Sequence, residues 1–166
     1  MPYDFITPLK AGAVALIAMT GAAMADSNEA AMMRSAQQSL AQAIAAAERE
    51  TGGRAIEAEF DEERGLGYWE VTTVTEAARF ELKLDANSGA IVERSERTID
   101  VPAMPQVALA DLISQAEAAG NGKVMSIDRE HRNGALIGYE VEIVGADGRV
   151  LDYFLNLADN SLTRDD

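Results

Sequence analysis

The chain has 166 residues, no cysteine, one histidine, and 28 Asp plus Glu against 14 Lys plus Arg, a formal net charge of −14. That length suits one moderate domain or two small ones, and 48% hydrophobic residues supply material for a core. Phosphate backbones and anionic membrane surfaces repel such a surface, so nucleic acid is excluded as a partner, and stability must come from packing without disulfides.

The first residues read as an address. After Lys10 the run AGAVALIAMTGAAMA is apolar or small and closes with Ala23-Met24-Ala25, which predicts a secretory signal over residues 1–25 with cleavage after Ala25. The run is too short to span a membrane comfortably, so no stable insertion is expected after cleavage, and no lipid-acceptor cysteine follows it. Cleavage removes one acid, Asp4, and one base, Lys10, so the net charge stays at −14.

From Asp26 a helical pattern runs to Thr51, with Met33, Leu40, Ile44 and Ala47 on one side, Asp26 or Ser27 as cap and Gly52-Gly53 as stop. The period then changes. Ile56, Ala58 and Phe60 alternate with Glu57, Glu59 and Asp61; Trp69, Val71 and Thr73 continue on a second strand; Phe80, Leu82 and Leu84 form a third. Asn87-Ser88-Gly89 turns into a short strand at Ala90 to Glu93. One helix and three or four antiparallel strands make an α+β unit.

Residues 98–106, with Pro102 and Pro105, break both periodicities and read as a stiff linker. Beyond it the programme restarts: Leu109, Leu112, Ile113 and Ala116 on a helix stopped by Gly120, then strands marked by Met125 and Ile127, by Tyr139, Val141 and Ile143, and by Leu151, Tyr153, Leu155 and Leu157. Trp69-Glu70-Val71 matches Tyr139-Glu140-Val141. Asp85-Ala86-Asn87-Ser88-Gly89 falls on Asn156-Leu157-Ala158-Asp159-Asn160, where asparagine replaces glycine at a place expected to need left-handed backbone. The sequence reads as an internal duplication, residues 26–97 and 107–166.

Helix, Gly-Lys/Arg, strand, the phrases GYWEV and GYEVEIV, an alternating strand and the turn LDANSG together resemble the PepSY domain, found in propeptides of thermolysin-like metalloproteases and in many exported bacterial proteins. The resemblance implies a fold of two tandem PepSY-like units, each an N-terminal helix on a three- to four-stranded antiparallel sheet. It also implies a non-enzymatic periplasmic or secreted module that restrains or regulates a peptidase through protein contact. Units of this size without disulfides are marginal alone, so the halves are expected to pack together.

The residues themselves offer no catalytic constellation. His131 is the only histidine and sits in a charged turn; there is no nucleophile motif and no phosphate loop; the chain is expected not to be an enzyme and to hold no cofactor. Asp85 to Gly89 has its glycine in the wrong place for an EF-hand and reads as a hairpin turn, so no metal is expected there. Glu57, Glu59, Glu70, Glu81, Glu140 and Glu142 should project from the solvent side of the strands. With Trp69 and Tyr139, expected chiefly in the core, Glu57, Glu59, Glu70, Glu140 and Glu142 are the candidate partner-binding residues. Exposed strand edges add a means of pairing with an extended partner segment. The alternative reading is an acidic small-ligand or divalent-cation binding protein of the cell envelope, motivated by the charge and by the Asp-rich end, Asp159 to Asp166.

Overall fold

The computed structural model describes residues 22–98 and 107–165. Most of the expected leader and nearly all of the linker lie outside the described residues. The order of elements is α1 Ala22–Ser35, α2 Leu40–Thr51, β1 Arg54–Glu63, β2 Leu66–Val74, β3 Ala78–Asp85, β4 Ile91–Thr98, α3 Leu109–Gly120, β5 Gly122–Arg132, β6 Ala135–Gly145, β7 Val150–Asn156 and β8 Leu162–Arg164. Among the described residues the fold is α+β: three helices and one antiparallel eight-stranded sheet, ordered β4-β3-β2-β1-β5-β6-β7-β8.

Two expectations change here. The single helix from Asp26 to Thr51 is broken, because Ser39 caps a new one. Its hydroxyl accepts from the Gln42 amide (3.3 Å), while the Gln42 side chain accepts from the Ser39 amide (2.8 Å). The break is tied to the sheet, since the Gln38 amide donates to the Ala86 carbonyl (2.9 Å) and the Trp69 indole N–H donates to the Gln38 carbonyl (2.9 Å). The two expected sheets are one, because β1 and β5 pair at Ala58↔Ile127 and Glu59↔Ser126. Pairing the inner edges leaves no open strand at the junction.

All three helices lie on one face. Leu40, Ala43, Ile44 and Ala47 of α2, Leu109, Leu112, Ile113 and Ala116 of α3, and Ala30 and Met33 of α1 are buried against Phe60, Trp69, Val71, Ile127, Tyr139, Val141 and Leu155. Most of the apolar positions read from the alternation fall in this core; Ile56, at the bulge between Ala55 and Glu57, and the half-buried Leu151 lie outside it. Local devices recur across the halves at a spacing near 70 residues. The Glu48 carboxylate accepts from the Ala55 amide (2.9 Å) and the Glu117 carboxylate from the Val124 amide (3.3 Å). Bulges follow at Ala55/Glu57 and Val124/Ser126. Gly89 and Asn160 both adopt left-handed backbone, φ 72° and 57°, which explains why only glycine or asparagine stands there.

The short strand expected at Ala90 to Glu93 is the longer β4, fully exposed along its length and hydrogen-bonded to β3 from Ala78↔Thr98 to Leu84↔Ile91. No helix of the described residues is long and apolar enough to cross a membrane.

Candidate functional site: an acidic sheet face

The helices cover one face of the sheet, and strand alternation sends the polar residues to the other. Register then lines them up. Glu93, Lys83, Glu70, Glu59, Ser126, Glu142 and Asp152 are successive partners across seven strands, β4 to β7, and form a row over the whole molecule. Five of the seven are carboxylates. Thr72, Glu57 and Glu81 run beside this row on one half, Asp128 and Glu140 on the other.

Near β3 the face supplies its own cations. The Lys83 ammonium lies 3.2 Å from Asp61, 2.6 Å from Glu63 and 2.8 Å from Glu70, above the Tyr68 ring. Burial opposes its charge, yet the hydrogen bonds to Glu63, Glu70 and Asp61 outweigh that and hold it well above the usual lysine range. Asp61, Glu63 and Glu70 have the mutual spacing of a three-carboxylate metal site, and the Lys83 nitrogen is the cation that fills it. Replacing Lys83 by methionine should cost about 1–2 kcal/mol, because three half-exposed carboxylates are left facing one another. Thermal melts should show that deficit shrinking in high salt; an equal deficit at all salt concentrations would mean that lost packing, not charge, is responsible.

Glu57 is likewise held, between Arg79 (3.1 Å) and Arg129 (3.1 Å). Glu59, Asp128 and Glu140 have no ion pair among the described residues. Burial, then the charges of Glu70, Asp61, Glu142 and Glu57, raise the Glu59 pKa. Asp128 is more strongly affected. Burial, followed by Glu59, Glu57, Glu142 and Glu140, pushes it up to about 7.

A cleft of about 330 Å³ opens on this face between Glu57, Glu59, Glu70, Glu93, Lys83 and Asp128. A second, also about 330 Å³, lies across Asp128 and is lined by Glu140, Glu142, Asp152 and Asp165. Of the residues expected from sequence, the structure gathers Glu57, Glu59 and Glu70 at the first cleft and Glu140 and Glu142 at the second. Trp69 and Tyr139 are not with them: at 1% and 2% exposure they lie in the core beneath the helices. Sequence reading missed Asp128, which joins the clefts. The signal was present, because Ser126 and Asp128 alternate with Met125 and Ile127 as polar-face residues.

Other sequence candidates have local tasks. The Asp85 carboxylate accepts from the Ser88 amide (2.7 Å), the Ser88 hydroxyl (2.8 Å) and the Asn87 amide (3.1 Å), bonds that pull its pKa down and close the hairpin. His131 is exposed near the end of β5.

A face of this kind attracts ammonium and guanidinium groups. No curated protein matches the chain. A crystal structure of a candidate lipoprotein from Clostridium difficile 630 is similar with a TM-score of 0.49 and 14% identity, covering 83% of this chain and 100% of that one. Residues 37–94, from the helix break to the middle of β4, match the PepSY family model, described as peptidase propeptide and YPEB domain.

Proposed function

We propose that this chain is an exported, non-enzymatic module of the cell envelope that regulates a peptidase, or another envelope protein, by direct contact through its acidic sheet face. The observation that carries this reading is the carboxylate row crossing seven strands, with Glu59 in it and Asp128 and Glu140 beside it making no ion pair among the described residues. A lysine- or arginine-bearing segment laid along the row would supply the cations. The PepSY match supports a regulatory partner of the peptidase type, because that family's description includes peptidase propeptides. The repeated Glu48/Ala55 and Glu117/Val124 bonds and paired bulges support a duplicated unit, residues 26–97 and 107–166; the leader at residues 1–25 and the linker at residues 98–106 rest on the sequence pattern.

The test is capture from an envelope extract with the mature chain and, in parallel, with the triple variant Glu59→Gln, Asp128→Asn, Glu140→Gln. The expected result is a protein recovered by the first and lost by the second, whose purified peptidase activity changes when the mature chain is added. Equal recovery by both baits would sink the acidic face as the contact; recovery of nothing by either would sink the reading as a whole.

A further inference from the structure

The outer edge of β4 carries a pattern the acidic face does not explain. The rest of the chain is strongly acidic, yet β4 reads Glu93-Arg94-Ser95-Glu96-Arg97, two acids and two bases with no net charge. A charged edge strand ordinarily keeps itself solvated by repelling a neighbour. This one does the reverse, because its charges are complementary to themselves. Set antiparallel against a second β4 with the two Ser95 residues opposite, Glu93 meets Arg97, Arg94 meets Glu96, and the same two pairs recur by symmetry.

We propose that this protein forms a two-fold homodimer through β4, with the strands antiparallel about Ser95 and the two eight-stranded sheets continuous across the junction. Geometry agrees on both faces. Glu93, Ser95 and Arg97 lie opposite Lys83, Glu81 and Arg79 on the open face, while Arg94 and Glu96 lie opposite Leu82 and Phe80 on the helix face. Directly opposed residues of an antiparallel pair share a face, so each acid meets its base on the correct side. Glu93 has no partner among the described residues, and the pairs already made by its neighbours, Arg94 with Glu96 at 3.2 Å and Arg97 with Glu81, are exposed surface pairs that cost little to rearrange. Val92, 56% exposed, falls opposite Thr98 of the second copy and is covered in part. A two-fold operation is the one closed arrangement in which a single strand edge satisfies itself. Contact along the single strand segment Val92 to Thr98 places the dimer among small interfaces, formed at high micromolar concentration or above.

Sedimentation equilibrium of the mature chain over a wide concentration range tests this. The wild type should shift from monomer to dimer. Arg94→Glu places two glutamates opposite one another twice, and should weaken the dimer about 10-fold or more. The swap Arg94→Glu with Glu96→Arg restores complementarity and should bring association back to within about 3-fold of wild type. It also returns an arginine opposite the Phe80 ring, so the monomer is disturbed little, which matched melting curves at monomeric concentration verify. A monomer at every concentration overturns the proposal, as does a dimer indifferent to Arg94→Glu or one that the swap fails to rescue.

Discussion

Replacing Trp69 by alanine is expected to remove about 3–5 kcal/mol of stability, the largest effect of any single substitution considered. The ring is 1% exposed, meets Phe60 edge-on with centroids 5.0 Å apart, and its N–H is bound to the Gln38 carbonyl. Truncation therefore opens a cavity beneath α2 and also frees the Gln38 carbonyl in the break between α1 and α2, so the core and the helix junction loosen together. Trp69→Phe separates the contributions: it fills much of the volume and loses only the hydrogen bond, for an expected cost of about 1–3 kcal/mol. Urea unfolding of the mature chain measures both. A Trp69→Ala variant of near-normal stability that no longer captures its partner would make the ring a contact residue after all.

That outcome bears on what could be read from the residues. Alternation placed Phe60, Trp69, Val71, Tyr139 and Val141 on the covered faces, because a strand with one buried side must keep its period. The helix break was written as Ser39-x-x-Gln42, a capping box, but the alanines on both sides continue the helical pattern and conceal it. Nothing in IVERSERT alternates between apolar and polar; β4 is a strand because β3 pairs with it, so its length was illegible. The single sheet was illegible for a similar reason, since edge pairing depends on backbone groups and not on the identities of Ala58 and Ile127. This also decided the candidate site. Glutamates were assignable to polar faces one strand at a time, whereas Asp128 acquires its surroundings only when β1 and β5 meet and bring Glu57 and Glu59 beside Glu140 and Glu142.

The substitution Asp128→Asn should accordingly stabilise the protein above neutral pH, contrary to the usual result of removing a carboxylate from a folded domain. In the unfolded chain this group titrates near the ordinary aspartate range; in the folded protein it does so at about 7, because burial and four neighbouring carboxylates disfavour its charge. Between those values the folded state keeps a proton that the unfolded state has released, so stability falls as pH rises through the window, and the full cost is present above about 7. The Arg129–Glu57 and Arg79–Glu57 pairs lessen the repulsion without removing it. Because Asp128 is only half-buried, solvent screening reduces the cost to about 1–2 kcal/mol. The substituted amide cannot ionise, so melting curves of variant and wild type should nearly coincide at acid pH and separate with rising pH, the variant melting about 3–6 °C higher in mild alkali. Asp85 titrates in the opposite sense, its lowered pKa costing stability as the solution is acidified, but it is common to both proteins and cancels in the difference. The same linkage reaches the proposed contact. A cationic segment seated beside Asp128 would favour its ionised form and release a proton, so capture should strengthen as pH rises through neutrality and lose that dependence in Asp128→Asn. An asparagine variant less stable than wild type in mild alkali would show instead that the ionised carboxylate accepts a stabilising bond within this face.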